Sequence, residues 1–179
     1  MLIALDCSAL SIMLKEFVHK EVEDIIEKRE EILQRRMEHF FSQQPGGSCT
    51  LVIPTPSWAE LMTCVPDIHR ISQRVDSDPN MYFADFNSVA ATEYGLLSAA
   101  AIASGDKKSG SDLDWGKVKF DRQIAVVAKL SGAELLLTRD KNQSSFAEMV
   151  GLTALNIDDP QPDRQPGFDF GDEVRPQLR

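Results

Sequence analysis

Five short apolar runs, separated by longer stretches with helical spacing, narrow the folds open to this 179-residue chain more than any other feature. Leu2-Ile3-Ala4-Leu5, Leu51-Val52-Ile53, Met81-Tyr82-Phe83, Glu134-Leu135-Leu136-Leu137-Thr138 and Leu155-Asn156-Ile157 have the length and apolar character of buried strands. Between the first two, helical spacing starts at Ser8 and runs through Met13, Leu14 and Phe17. A long amphipathic helix is then expected over about 21–44. Val22, Ile25, Ile26, Ile32, Leu33, Met37, Phe40 and Phe41 lie on one face of it, and Glu23, Glu27, Glu30, Glu31 and Glu38 on the other. Gln44-Pro45-Gly46-Gly47 ends it. Further helices are expected from Ser57-Trp58-Ala59-Glu60, over the alanine-rich 87–103, from Asp121 to Leu130 and from Ser145, with a polar loop at 104–116. Strands alternating with helices predict an α/β domain around a mainly parallel sheet of about four to five strands. Residues 1–159 form this domain, large enough to bury a real core. Residues 160–179 carry four prolines and no apolar period, and read as a tail.

In a parallel α/β sheet, ligands gather beyond the C-terminal ends of the strands. Asp6 directly follows the first apolar run and Asp140 comes two residues after Thr138. Glu60 is expected in the first turn of the helix after the second strand, and Asp121 is expected to open the helix before the fourth. Each acid has a plain structural use. Asp6 caps the helix at Ser8, Ser57-x-x-Glu60 matches a capping box, Asp121 favours a helix N-terminus, and Asp140 closes an Asx-turn. Four acids on one rim also repel one another and raise each other's pKa. A divalent cation removes that repulsion, and oxygen ligands without His or Cys suit Mg²⁺ or Mn²⁺.

Composition bears on what such a rim could bind. Lys plus Arg number 19 and Asp plus Glu 28, for a formal net charge of −9, which argues against gripping a polyanion through bulk charge. Arg122, Lys129, Arg139, Lys141, Lys117 and Lys119 nevertheless fall near Asp121 and Asp140, so a basic rim around an acidic pocket is expected. His19, His39 and His69 are isolated. Cys7, Cys49 and Cys64 are odd in number with no CxxC, which favours a reducing cytoplasm over a disulfide framework or a zinc site. No apolar run approaches a membrane span, and Met1-Leu2-Ile3-Ala4-Leu5-Asp6 has no basic leader. Asp112, Asp114 and Glu93 read as solvated, and Cys7 as a small buried thiol.

Three blocks in order carry a resemblance: Leu2-Ile3-Ala4-Leu5-Asp6-Cys7-Ser8-Ala9-Leu10, then Glu60 within Pro56-Ser57-Trp58-Ala59-Glu60-Leu61, then Asp121-Arg122-Gln123-Ile124-Ala125-Val126-Val127-Ala128 leading into Leu135-Leu136-Leu137-Thr138-Arg139-Asp140. The chain resembles a PIN domain, the nuclease fold of VapC-type toxins, over roughly 1–157. The resemblance implies a three-layer α/β/α sandwich and a metal-dependent endoribonuclease, with Asp6, Glu60, Asp121 and Asp140 as catalytic and metal-holding acids. One or two Mg²⁺ or Mn²⁺ ions would activate water for attack on the RNA phosphodiester. Ser8 and Thr138 match hydroxyl positions that hold a carboxylate or the phosphate, and Arg139 and Asn142 are further substrate-binding candidates. Asn142 stands where many relatives carry another acid, Arg122-Gln123 replaces a smaller or apolar pair, and the 21–44 helix enlarges the segment between the first two acids.

VapC-like proteins also pair as homodimers and are silenced by a cognate antitoxin. Ile26, Leu33 and Phe40 recur every seven residues, a spacing suited to a helix-on-helix seam, and with Phe41 they are the candidate partner contacts. The competing readings are an inactive PIN scaffold serving as an interaction module and a phosphatase of the haloacid dehalogenase type. The phosphatase needs Asp-x-Asp after the first strand, where this chain has Asp6-Cys7-Ser8. A receiver domain needs paired acids that are also missing.

Overall fold

In a computed structural model of the chain, residues 1–14, 35, 37 and 49–158 are described. The strands are β1 (Leu2–Leu5), β2 (Thr50–Pro54), β3 (Met81–Ala84), β4 (Leu135–Thr138) and β5 (Thr153–Asn156). The helices are α1 (Cys7–Met13), α2 (Thr55–Met62), α3 (Ile68–Asp76), α4 (Ser88–Ala103), α5 (Trp115–Leu130) and α6 (Lys141–Met149). The strands form one sheet in the order β3-β2-β1-β4-β5, every neighbouring pair parallel. The expected α/β class with a parallel sheet is therefore borne out, with five strands.

Side-chain alternation along the central strands sorts the helices onto two faces. Ile3, Leu5, Leu51, Ile53, Leu135 and Leu137 pack with Leu10 and Ile12 of α1, Leu61 of α2, and Ile71 and Val75 of α3. Ala4, Val52 and Leu136 point the other way, against Ile124 and Ala128 of α5 and Ala147 of α6. These are the three layers the short apolar runs demand, because a strand buried on both faces needs apolar residues at every position. Each fully buried Leu or Ile contributes about 1.5–3 kcal/mol over leaving it in water.

Several boundaries differ from expectation, each for a local reason. The first helix ends at Met13 with Leu14 as C-cap, instead of continuing to Phe17. The helix after β2 begins at Thr55 behind the N-cap Pro54, which offers no side-chain cap, with Pro56 in its first turn. Ser57 is consequently buried inside that helix and Glu60 falls in its second turn, so the capping box does not form. The α3 helix was not expected; Asp67 caps it and buries Ile71 and Val75. Asp114 caps α5, six residues earlier than expected, which places Asp121 in the helix interior and not at its start. Asp140 caps α6, so that helix starts at Lys141 and not at Ser145.

Arg35 and Met37 are helical, and Met37 is buried against the α1–α3 face. The rest of the 21–44 stretch, including Ile26, Leu33, Phe40 and Phe41, and the tail 160–179 lie outside the described residues. Among the described residues no helix is long and apolar enough to cross a membrane.

Candidate active site

The strand order sets the place. From β1 the chain steps outward to β2 and β3, then returns to β4 on the other side of β1. The crevice beyond the C-terminal ends of β1 and β4 is thus the point where the winding reverses, the position at which such sheets bind ligands.

Asp6 leaves β1 into this crevice. Its backbone N–H continues the ladder to the Leu137 carbonyl at 3.1 Å, and its side chain caps α1. Oδ1 accepts from the Ala9 N–H and the Ser8 hydroxyl, both at 2.7 Å, and Oδ2 accepts from the Thr138 hydroxyl. Burial pushes the Asp6 pKa up, against the opposing pull of those donors and of Lys117. Thr138 in turn accepts the Asp140 N–H at 2.9 Å, and Ser8 accepts the Arg139 N–H at 2.9 Å. The two hydroxyls therefore stitch the end of β1 to the end of β4 and orient a carboxylate.

Asp121 is fully buried in α5. Its Oδ1 pairs with Lys117 Nζ at 2.9 Å, one helical turn earlier, while Oδ2 has no hydrogen-bond partner. Burial, with the charges of Asp140 and Glu60 adding to it, pushes the Asp121 carboxyl up to about 6 in spite of Lys117. Glu60 reaches the same ammonium from α2, with Oε1 at 3.3 Å from Nζ, and its Oε2 is buried without a partner. Burial disfavours the Lys117 ammonium, but Asp121 and Glu60 outweigh it and hold its pKa above the ordinary lysine value. Asp140 completes the set. Its Oδ1 accepts the Asn142 N–H at 2.8 Å and its charge is felt at Asp121.

Asp140 and Glu60 thus both act on the Asp121 carboxyl, and Glu60 and Asp6 on the Cys7 thiol. Among the described residues, however, no three His, Cys, Asp or Glu side chains converge as a finished metal cage. What stands between Glu60 and Asp121 is Lys117. A Mg²⁺ or Mn²⁺ ion suits the donor chemistry: carboxylate oxygens alone, two of them buried and unpartnered.

The remaining candidates fall in varied places. The Arg139 Nε is turned toward Asp158, at 3.1 Å from its Oδ2. Asn142 is tied through its side-chain oxygen to the Ser111 hydroxyl at 3.1 Å, linking α6 to the 104–114 loop. The expected basic rim needs correction at three positions. Arg122 is buried, stacked on Trp115 and Phe146, and donates to the Lys107 carbonyl and the Ser109 hydroxyl. Lys117 is engaged with the acids. Lys129 sits at the far end of α5, near the Gly151 carbonyl. Asp114 is exposed, as expected, but serves as the α5 cap. Cys7 is partly buried and its thiol is pushed up to about 12, chiefly by burial and then by Glu60 and Asp6, which keeps it protonated and unreactive.

Two residues escaped the sequence reading. The sequence places Lys117 on the basic rim, just beyond a polar loop expected to end at Gly116. The signal for a different reading was the Asp114-x-x-Lys117 start of a helix, which makes Lys117 and Asp121 an i,i+4 pair. Gln143 is buried on α6 and donates to the Asp121 carbonyl at 3.1 Å, fixing α5 against α6. Nothing local marks it out.

No protein-family model matches the chain, and no curated protein matches it. Among solved structures, VapBC2 from Rickettsia felis bound to a DNA fragment from their promoter contains a similar chain. The two share 16% identity and a TM-score of 0.46 over 87% of this chain and 98% of that one.

Proposed function

We propose that this chain is a metal-dependent phosphodiesterase that cuts RNA, with Asp6, Glu60, Asp121 and Asp140 as its catalytic carboxylates. The supporting observation is the pair of buried, unpartnered oxygens, Asp121 Oδ2 and Glu60 Oε2, within an acid cluster at the reversal point of the sheet. Acids that only cap helices spend their oxygens on N–H groups, as Asp114 does with Gly116 and Lys117. An aspartate held uncapped inside α5 costs stability, and folds keep such costs chiefly where chemistry needs them.

Asp6, Glu60, Asp121 and Asp140 would hold a divalent cation, which would supply positive charge for activating water and steadying the leaving oxygen. The chain's own groups do the positioning. Ser8, Thr138 and the Ala9 N–H orient Asp6, Gln143 anchors the Asp121 backbone, and the exposed Lys141, next to Asp140 at the start of α6, would supply positive charge for phosphate. RNA as the substrate, and the reading as a toxin with a cognate antitoxin and a homodimeric partner, rest on the PIN-like blocks of the sequence.

One observation favours the second reading, an inactive scaffold: Lys117 already neutralises part of the cluster. The two readings separate in an RNA cleavage assay with and without Mn²⁺ on wild type, Asp6→Asn and Asp121→Asn. The nuclease reading expects Mn²⁺-dependent cleavage by wild type alone. Variants that cut as fast as wild type place the site elsewhere. Mn²⁺ that leaves the wild-type melting midpoint unmoved favours the scaffold.

A further inference from the structure

We infer that Arg122 is a positioning residue for the substrate: it fixes the 104–114 loop against α6, where Ser111 sets the Asn142 amide to donate to a phosphate oxygen next to Asp140. The inference rests on the RNA-cutting reading above and deepens it. Arg122 is 3% exposed, yet among the described residues no carboxylate forms an ion pair with it. Its guanidinium lies 5.6 Å from the Trp115 ring centroid and 5.5 Å from that of Phe146, while Nε and Nη1 have no hydrogen-bond partner. Burying a charge in this way adds little to stability, since a well-packed apolar side chain of similar volume does as well or better. What an apolar residue could not supply is Nη2. It donates to two loop oxygens, the Lys107 carbonyl at 2.8 Å and the Ser109 hydroxyl at 2.7 Å.

The loop is shaped for that grip. Asp106 gives both carboxylate oxygens to it, Oδ1 accepting the Lys108 N–H at 3.2 Å and Oδ2 the Gly110 N–H at 2.6 Å. Ser109 and Gly110 are both left-handed, with φ of 53° and 76°. The glycine takes that conformation freely, whereas the serine is strained in it. Ser109 is the one non-glycine residue with positive φ among the described residues, and its hydroxyl is the group that Arg122 holds.

Two residues further on, the loop meets α6. The Ser111 hydroxyl accepts the Leu113 N–H at 3.2 Å and donates to Asn142 Oδ1 at 3.1 Å, and the Asn142 backbone N–H donates to Asp140 Oδ1 at 2.8 Å. A run of contacts thus leads from the buried guanidinium through Ser109 and Ser111 to Asn142, two residues from Asp140. With its oxygen taken by Ser111, the Asn142 side chain keeps its two amide N–H donors for another acceptor. Donors at this place attract a phosphate oxygen, which a further carboxylate would repel. The exposed Lys141 adjoins them and adds to the same preference.

The test measures KM and kcat on a mixed-sequence single-stranded RNA in Mn²⁺ buffer, with melting midpoints alongside, for wild type, Asn142→Ala, Ser111→Ala, Ser109→Gly and Arg122→Met. Losing a hydrogen bond to a charged oxygen should raise KM about tenfold in Asn142→Ala, with the loss in KM and not in kcat. Ser111→Ala, Ser109→Gly and Arg122→Met keep the amide but free it to turn, and should each raise KM about threefold. Ser109→Gly also relieves the left-handed strain, so it should melt close to wild type, a combination that a purely structural role would not give. Because Ser109 and Ser111 act through one amide, their double variant should raise KM no further than the larger single change. A Ser109→Gly variant at the wild-type KM overturns the inference, as do additive effects in the double variant. If Arg122→Met fails to fold, the two serine variants and their double decide alone. Wild type that cuts no RNA removes the nuclease reading and this inference with it; wild type that cuts, with variants at its KM, removes the inference only.

Discussion

Helices α4 and α5 are both 16 residues long and pack against each other, yet they live in different environments. By sequence α4 is the more apolar, with Glu93 its one charged residue, while α5 carries Lys117, Lys119, Asp121, Arg122 and Lys129. Apolar content alone would bury α4. The structure does the reverse. Buried in α5 are Val118, Asp121, Arg122, Ile124, Ala125, Val126, Val127 and Ala128, whereas α4 buries Ala90 and Ser98 and exposes Val89, Leu96 and Ile102. The difference lies in position. The α5 helix packs on the sheet between its neighbours α4 and α6, so its polar side chains must find partners inside, and those partners make up the candidate site. The α4 helix borrows support from α5 and returns little.

The largest effect that would break this contrast lies in the core. Ile124→Ala on α5 should destabilise by ~2–5 kcal/mol in urea unfolding, whereas Leu96→Ala on α4 should stay within about 0.5 kcal/mol. Comparable losses at the two positions would mean that α4 is covered in solution.

Next is the charge inside α5. Unfolded, Asp121 titrates at the ordinary 3.8; folded, it is pushed up to about 6. A raised carboxyl pKa means that the fold favours the protonated form. Its contribution is fully present below about pH 4 and is lost as pH rises through about 6. In metal-free buffer at pH 7 the ionised group costs up to ~3 kcal/mol. Asp121→Asn should therefore melt above wild type at pH 7, with the gap closing toward pH 4, while abolishing cleavage. A wild type that melts higher at pH 7 contradicts this account.

The helix caps give a smaller contrast. Asn87 caps α4 through the Val89 and Ala90 N–H groups, and Asp114 caps α5 through those of Gly116 and Lys117. Replacing either by Ala should cost ~1 kcal/mol of helix stability. For Asp114→Ala the loss should appear in global unfolding, and for Asn87→Ala mainly as faster amide exchange confined to α4. Equal global losses would erase the distinction.

The smallest effect is a gain. Gly95 lies in the middle of α4, and a Cβ built there meets nothing within 4 Å. Gly95→Ala should stabilise α4 by ~0.5–1 kcal/mol. A loss in its place would show that another surface packs closely on that helix.

How much of this was legible in the sequence depended on how local the cause was. An acid that directly follows an apolar run must stand at a strand end, so Asp6 and the Thr138-Arg139-Asp140 turn could be read without coordinates. Helix starts were less legible. Proline and glycine mark breaks in general, yet Pro56 sits in the first turn of α2 and Gly116 in the first turn of α5. Misplacing those starts misplaced Glu60 by a turn, put Asp121 at a helix start instead of the interior, and hid the Lys117–Asp121 pair. Arg122 looked like a surface cation because charge normally seeks water. Only the Trp115 and Phe146 rings and the loop oxygens explain its burial.

By itself, then, the chain determined its alternation of strands and helices, the burial of its central strands on both faces, and the placing of Asp6 and Asp140 at the sheet rim. These follow from side-chain period and from adjacency along the backbone. The tertiary structure alone decided that Thr138 would hold a carboxylate 132 positions away and that Lys117 would bridge to Glu60 57 positions away. Such contacts depend on the strand order that brings β4 beside β1 and on the layer that carries α5 past α2. No local pattern encodes a distance across that sheet, and the chemistry of the crevice is set by those distances.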